Sequence, residues 1–454
     1  MSKSTRTTNV VTTGHGTARR LRRFVGAAAV LALPLLVATT AAGASQRRTS
    51  VGAVSEISRG CRGQNAEAEQ AVDGRFVYVT WIGCDGVGFA RSTNGGRSFT
   101  RPMTVPDSIG HGAHHSGIGS GLPKYGWDPS IAVARDHTVY VAYMLYRHSR
   151  VHPMVAVSAD RGASFARVSH VPSPGKNNWG DRDFVAVGPN GTLYLTWDYG
   201  PSLKTRHGNI VVQRSTNRGR TWSRISVVTP GYPDHGGAVA GPLVVEPSGR
   251  IDIAFWVLAG GAEKPPALPA GHIYFTSSTT GRTWSAPVAI RPRAGRIGPF
   301  VTWIDVDLAL DRAGNLYATW DTQRPGGDVG WLSYSSDHGR TWSAARRVTP
   351  DHDNAEHIMA VTAGPRGTAY VGWLSDNSAH GFAQYVRAFS IRAGWRTGPL
   401  QVSRQFGNRN IWPGDTIGIS MLPSTGNRPH TVQLSWGSAV NGSTSEIFGA
   451  SAAP

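Results

Sequence analysis

Seven times along the chain, a short run of alternating apolar and small polar residues ends on an aromatic side chain. The runs are Tyr78-Val79-Thr80-Trp81, Tyr140-Val141-Ala142-Tyr143, Tyr194-Leu195-Thr196-Trp197, Asp252-Ile253-Ala254-Phe255, Tyr317-Ala318-Thr319-Trp320, Tyr370-Val371-Gly372-Trp373 and Gln433-Leu434-Ser435-Trp436. The closing aromatics are 62, 54, 58, 65, 53 and 63 residues apart. A period of this length marks a propeller or solenoid. Most copies follow a glycine turn and an apolar run, such as Ile131-Ala132-Val133 or Phe184-Val185-Ala186-Val187. Each leads on to a third strand, as at 209–214 and 272–276, and five lead through a repeated turn into a fourth. Seven four-stranded antiparallel units predict an all-β, seven-bladed β-propeller. The last unit stops after its third strand, at 446–450, and an orphan strand at 49–58 precedes the first unit. That orphan is expected to supply the missing fourth strand and close the ring.

The repeated turn begins at Ser92, Ser158, Ser215, Ser277 and Ser335, with the pattern S-x-[D/N/T]-x-G-x-[S/T]-[W/F]. Asp160, Asp337, Asn94 and Asn217 can accept backbone N–H bonds a few residues on and close the turn. The glycine supplies a positive φ. The aromatic pins the start of the next strand to apolar neighbours.

This pattern resembles the Asp-box, or BNR repeat, of the sialidase superfamily. The resemblance runs over the blades from about residue 60 to 450, and its specific part is the box turn. It implies a structural turn on the outer part of each blade, away from the active site. The family's catalytic members resemble six-bladed propellers, so a six-bladed sialidase fold is the alternative. Those enzymes also share an Arg-Ile-Pro motif, three arginines gripping the sugar carboxylate, a Tyr nucleophile with a Glu partner, and an Asp acid/base. No Arg-Ile-Pro occurs here. Arg182, Arg324 and Arg409 do not map onto the arginine positions, and Tyr199 and Tyr385 show no Glu partner.

Composition suits a turn-rich β protein. Glycine numbers 56 of 454 residues, and charged residues are 16%, against about 25% in typical soluble domains. Residues 1–44 read as a signal peptide, leaving 45–454 as the propeller. Lys3, Arg6, Arg19, Arg20, Arg22 and Arg23 form its basic start, 24–38 its apolar stretch, and Ala42-Gly43-Ala44 an A-x-A cleavage site. The apolar stretch is short for a span of about 20 residues. The expectation is a secreted protein with no stable membrane insertion after cleavage; an uncleaved anchor is the alternative. Arg22-Arg23-Phe24 loosely resembles a twin-arginine signal. The net charge is +18, and it falls to +12 without the leader, which carries six positive charges and no acid. Cys61 and Cys84 are the only cysteines. They flank the turn at Asp73-Gly74 at similar distances, so antiparallel pairing predicts a structural disulfide between them.

In a propeller, loops from second to third strand and from fourth to first surround the central funnel, where a rigid scaffold presents binding residues. Here those loops carry aromatics beside carboxylates: Trp127-Asp128, Trp179 with Arg182-Asp183, Trp303 with Asp305 and Asp307, Glu356-His357, and Trp412 with Asp415. Arg147-His148, Asp198-Tyr199, Asp321, Arg324 and Asp376 join them. An aromatic face stacks on a sugar ring and carboxylates accept from its hydroxyls. The glycan ligand set is therefore Trp127, Trp179, Arg182, Trp303, Asp321, Arg324, Glu356, Trp412 and Asp415. Hydrolysis needs two carboxyls flanking the scissile bond, and Asp128, Asp183 and Asp305 are the candidates. The competing account has these carboxylates capping blade ends by bonding to backbone N–H groups. A sialidase-like glycoside hydrolase and a non-catalytic carbohydrate- or protein-binding propeller both stay open.

No cofactor is expected. His111, His114 and His115 lie in a glycine-rich loop and are weak evidence for a metal site with Asp128, because adjacent side chains on a strand point opposite ways. Arg97, Arg161, Arg218, Arg220, Arg282 and Arg340 occupy the variable box positions. They predict a basic ring opposite the funnel, suited to an anionic cell-wall or extracellular polymer. No recognition motif for nucleic acid accompanies the charge.

Overall fold

The computed structural model describes residues 49–109, 126–147, 150–173, 179–200, 209–229, 238–257, 272–291, 306–322, 328–350, 357–377, 380–424 and 430–454. The expected leader lies outside them. The described chain is a seven-bladed antiparallel β-propeller, in which the first three strands of each blade pair in chain order. The innermost strands are Ala66–Asp73, Gly126–Val133, Trp179–Val187, Ala238–Val245, Asp307–Leu310, His357–Ala363 and Gly418–Met421. They open blades 1 to 7 respectively.

The ring closes as the orphan strand predicts. Ser50 and Val51 pair with Ala453 and Ala452, and Ser55 and Glu56 pair with Gly449 and Phe448. Joining first and last strands in one sheet removes the open edge that a linear array would leave. Cys61 and Cys84 form a disulfide, with Cα atoms 4.6 Å apart, which ties the closing segment to blade 1.

The aromatics ending the second strands form the core. Trp81, Trp197, Trp320, Trp373 and Trp436 are fully buried, with Phe255 and Tyr143 in the equivalent places. Apolar side chains cluster between adjacent blades: Val87 and Phe89 of blade 1 pack with Val141 and Tyr143 of blade 2, and Ile57 and Ile447 complete the seam with blade 1. A blade has two apolar faces and no core of its own. Burying both against neighbours requires the full ring.

The repeated turns behave as their side chains dictate. Asp337 Oδ1 accepts the N–H of Thr341 at 2.9 Å, and Ser335 Oγ accepts the N–H of Gly339 at 2.8 Å. The turns at Ser92, Ser158 and Ser215 repeat this geometry. All five glycines have φ between 68° and 82°. The fourth turn differs by one residue. There Ser278 Oγ, not Ser277, accepts the N–H of Gly281, and Thr280, not Thr279, bonds Arg282. This turn is one residue shorter: Ser278 pairs opposite Ile251 as Ser335 pairs opposite Leu316, so Ser278 takes the place of the box serine.

The turn aromatics pin blades together rather than only the strand that follows. Phe165 meets Phe89 of the preceding blade edge-on at 4.9 Å, and Trp342 packs on Phe275 at 5.5 Å. Trp222 and Trp284 donate their indole N–H to Ser169 and Ser226 of the preceding blade. The residue before the glycine also reaches an acid of the preceding blade. Arg161 reaches Asp73 at 3.6 Å, Arg218 reaches Asp136 at 2.6 Å and His338 reaches Glu246 at 2.7 Å. In each case the acid belongs to the first turn of the preceding blade.

Candidate functional site

The innermost strands do not run regularly into the funnel. In blade 1 the register shifts between Ala66 and Glu69, in blade 2 between Trp127 and Ser130, and in blade 3 between Asp181 and Phe184. Each shift holds a non-glycine residue in the left-handed region: Glu67 at φ 55°, Asp128 at 45° and Arg182 at 56°. Blade 4 shifts at the same place, between Ala240 and Leu243. Its residue there is Gly241, where a side chain would run into the Val306 carbonyl oxygen. Bulges re-aim side chains and are frequent beside active sites. Left-handed non-glycine residues cost of order 1–3 kcal/mol each and gather at functional positions. Three in a row on one rim mark where this propeller spends stability on geometry.

The bulges are held by contacts between blades. Asp128 accepts the N–H of Arg182 at 3.2 Å. Ser130 donates to the Asp183 carbonyl at 2.6 Å and accepts from the Val185 N–H at 2.9 Å. The Glu67 N–H donates to the Pro413 carbonyl at 3.3 Å. On the blade 7 side, Trp412 donates its indole N–H to Asp415 at 2.9 Å, and the Arg182 guanidinium lies 3.9 Å from the same carboxylate.

These residues surround a central cavity of about 150 Å³ to which all seven blades contribute. Its polar lining includes Glu69, Ser130, Arg182, Asp307, Asp415 and Thr416. Asp307 accepts the N–H groups of Val361 and Leu308, each at 2.7 Å. What surface it exposes faces the cavity, and burial in the channel pushes its pKa up to about 6 against those two hydrogen bonds. Among the described lining residues the acids Glu69, Asp307 and Asp415 outnumber the one guanidinium, Arg182.

The structure brings part of the sequence-predicted set together. Arg182 and Asp415 line the cavity, with Asp128 and Trp412 beside them. Trp127 is half-buried at the blade 2 bulge. Trp179 lies in the blade 3 innermost strand, and nothing is described of its side chain. Asp183 is fully buried and is not among the cavity-lining residues. Asp321 is buried near the end of the blade 5 second strand. Asp198 accepts the Ala240 N–H at 2.9 Å, as the capping account expects. Asp376 lies 3.4 Å from Arg409, and burial raises its pKa despite that cation. Tyr385 stacks on Trp373 at 5.4 Å, within the blade 6 packing. Trp303, Asp305, Arg324 and Glu356 lie outside the described residues, as do His111, His114, His115 and His148. Among the described residues no group of three or more His, Cys, Asp or Glu could hold a metal ion.

Sequence reasoning missed Glu67 and Glu69. Their signal was present in Ala66-Glu67-Ala68-Glu69-Gln70, where acids interrupt an innermost strand that elsewhere reads apolar.

No protein family and no curated protein matches the sequence. Among solved structures, a polysaccharide lyase, ulvan lyase, bound to -[GlcA(1-4)Rha3S]- superposes with a TM-score of 0.57 at 13% identity. That match covers 87% of this chain and 95% of the other. A second ulvan lyase structure gives 0.53 at 13% identity, over 88% and 95% of the two chains. A Hadza microbial sialidase gives 0.48 at 14% identity, over 82% and 76%. At such identities the likeness is one of fold.

Proposed function

We propose that this chain is an exported Asp-box propeller of the sialidase-superfamily kind whose funnel binds the end of a glycan. The observation that carries this reading is the convergence of Asp415, Arg182 and Asp307 on one cavity at the axis of seven blades, with Trp412 hydrogen-bonded to Asp415. Small-molecule sites run from about 300 to 1,000 Å³. This cavity, bounded by the described residues, is smaller, which suits a single terminal ring rather than an oligosaccharide laid flat. The excess of carboxylates over guanidinium favours a hydroxyl-rich neutral sugar. Together with the missing Arg-Ile-Pro, it argues against sialic acid. The propeller fold shared with a polysaccharide-bound lyase is in keeping with a glycan ligand.

A second reading, hydrolysis, is favoured by Asp307. A carboxyl with a pKa near 6 keeps a proton for a leaving group, and Asp415 lines the same cavity as its counterpart. Asp128, and Asp305 outside the described residues, remain the further candidates.

The test is glycan-array binding and turnover of a panel of chromogenic glycosides, sialosides included. Trp412→Ala and Arg182→Ala are expected to abolish binding. Turnover that disappears in Asp307→Asn and Asp415→Asn, but not in Asp198→Asn, establishes a hydrolase. Binding without turnover leaves a lectin-like propeller. Absence of both overturns the glycan reading.

A further inference from the structure

The face opposite the funnel carries arginines in two concentric tiers. The outer tier is Arg97, Arg220, Arg282 and Arg340, each just after the glycine of a box turn in blades 1, 3, 4 and 5, and each exposed. The inner tier was not anticipated from the sequence. It comes from the turns between first and second strands, where Arg75, Arg135, Arg312 and Arg366 are exposed in blades 1, 2, 5 and 6. Antiparallel blades put both kinds of turn on one face, and the contacts of Arg161, Arg218 and His338 with first-turn acids of the preceding blade confirm it.

The acids of this face have contacts of their own. Asp73 and Asp136 meet His137, Arg161 and Arg218. Glu246 and Asp252 meet Arg250 at 2.8 and 3.0 Å. Asp160, Asp311 and Asp337 accept N–H and hydroxyl bonds within their own turns. Two of the six arginines expected in the ring, Arg161 and Arg218, are therefore consumed in holding blades together. Among the described residues the eight of the two tiers have no acidic partner within 4 Å. The face carries net positive charge, because among the described residues these eight outward arginines outnumber Asp160, Asp311 and Asp337, the acids of the face whose partners are neutral.

We infer that this face is a docking surface for a linear acidic polysaccharide bearing carboxylate or sulfate groups. Repeated guanidinium groups on a rigid ring match regularly spaced anions on a polymer. The surroundings disfavour other polyanions. Among the described residues the only exposed large apolar side chains are Ile109 and Val227. The face thus lacks the aromatic platforms on which single-stranded bases stack and the apolar residues that enter a membrane surface. Its elements are short turns, which cannot fill a duplex groove. The inference stands apart from the funnel reading, since no funnel residue takes part.

The experiment uses the chain without residues 1–44, because every described strand lies after them and the leader's own charges would confuse the measurement. Affinity for polygalacturonate, dextran sulfate and double-stranded DNA is measured at two salt concentrations. Two variants remove tiers separately: Arg97→Ser/Arg220→Ser/Arg282→Ser/Arg340→Ser and Arg75→Ser/Arg135→Ser/Arg312→Ser/Arg366→Ser. A third removes four exposed cations outside the two tiers, Arg59→Ser/Arg62→Ser/Arg346→Ser/Arg404→Ser. Expected are tighter binding to a polysaccharide than to DNA, weakening with salt, and a loss of about tenfold or more in each tier variant. The third variant is expected to stay within about twofold. Equal losses in all three would reduce the effect to net charge and overturn the inference. So would tighter binding to DNA, or no binding at low salt by protein whose melting is unchanged. Glycoside binding in the funnel is followed in the same variants, so the two surfaces fail separately.

Discussion

Asp307 of blade 5 accepts the backbone N–H of Val361 in blade 6 at 2.7 Å, joining two blades inside the central cavity. Burial raises its pKa from 3.8 to about 6. The folded chain thus holds this proton more tightly than the unfolded chain. The resulting stability is fully present below about pH 4 and is lost as the pH rises through 6. Above that, the ionised group costs up to about 3 kcal/mol. Asp307→Asn keeps an acceptor for the Val361 N–H but turns its NH2 toward the Leu308 N–H, so it should be less stable than the wild type at pH 4, and that deficit should shrink by up to the same amount at pH 8. Urea unfolding at both pH values measures the difference; parallel pH profiles would refute it.

The Glu246–Arg250–Asp252 group makes a second prediction. Both carboxylates are buried, and Arg250 also donates to the His338 carbonyl at 2.9 Å. Burial raises Asp252 to about 7, with Arg250 lowering it and Glu246 raising it further. Arg250→Met removes the cation and leaves the acids, a change worth about 3–5 kcal/mol in buried ion pairs. The loss should shrink below pH 6, where protonation relieves Asp252. Arg218→Ala breaks a pair whose side chains are 56% and 45% exposed, so its cost should stay under about 1 kcal/mol. Equal costs for the two substitutions, in denaturant titrations at pH 8, would contradict this ranking.

The box turns separate geometry from charge. Asp337 accepts from the Thr341 hydroxyl and N–H and from the Ser335 hydroxyl, and these bonds hold its pKa down at about 2. Its contribution is present above the usual 3.8 and is lost as the pH falls through 2. Asn94 and Asn217 close equivalent turns with their amide oxygens. Asp337→Asn should therefore be nearly silent at pH 7, whereas Asp337→Ala should cost about 1–2 kcal/mol. Melting temperatures between pH 2 and 7 check both, and only the wild type should show the acid loss.

The disulfide spans a separation of 23 residues. Chain-entropy arguments assign a crosslink of that length about 3 kcal/mol. Cys61→Ser/Cys84→Ser should lower the urea midpoint by a matching amount while leaving the blade count unchanged. An unaltered midpoint would mean that ring closure by Ser50–Val51 and Ser55–Glu56 already fixes this end.

The seven second strands, the five turns, the closing strand and the disulfide were legible because their causes are local or periodic. An aromatic every 53 to 65 residues repeats a blade, and a side-chain oxygen reaches only about four residues along its own turn. The fourth turn is the exception: it is one residue shorter than the pattern implies and starts at Ser278 rather than Ser277. Trp412, Asp415, Arg182 and Asp128 were readable as aromatics and charges at strand starts. Their gathering around the funnel was expected, but their direct contacts were not, because Asp128 and Arg182 are 54 residues apart and joined by a bulge bond.

Residue order alone thus determined how many blades form, where each turns and which ends must meet. Tertiary structure decided which residues face one another across blades. It turned Glu67, Asp128 and Arg182 into one strained rim, spent Arg161 and Arg218 on neighbouring acids and left eight other arginines outward. Those outcomes depend on radial packing and on one-residue register shifts, which spacing along the chain does not encode.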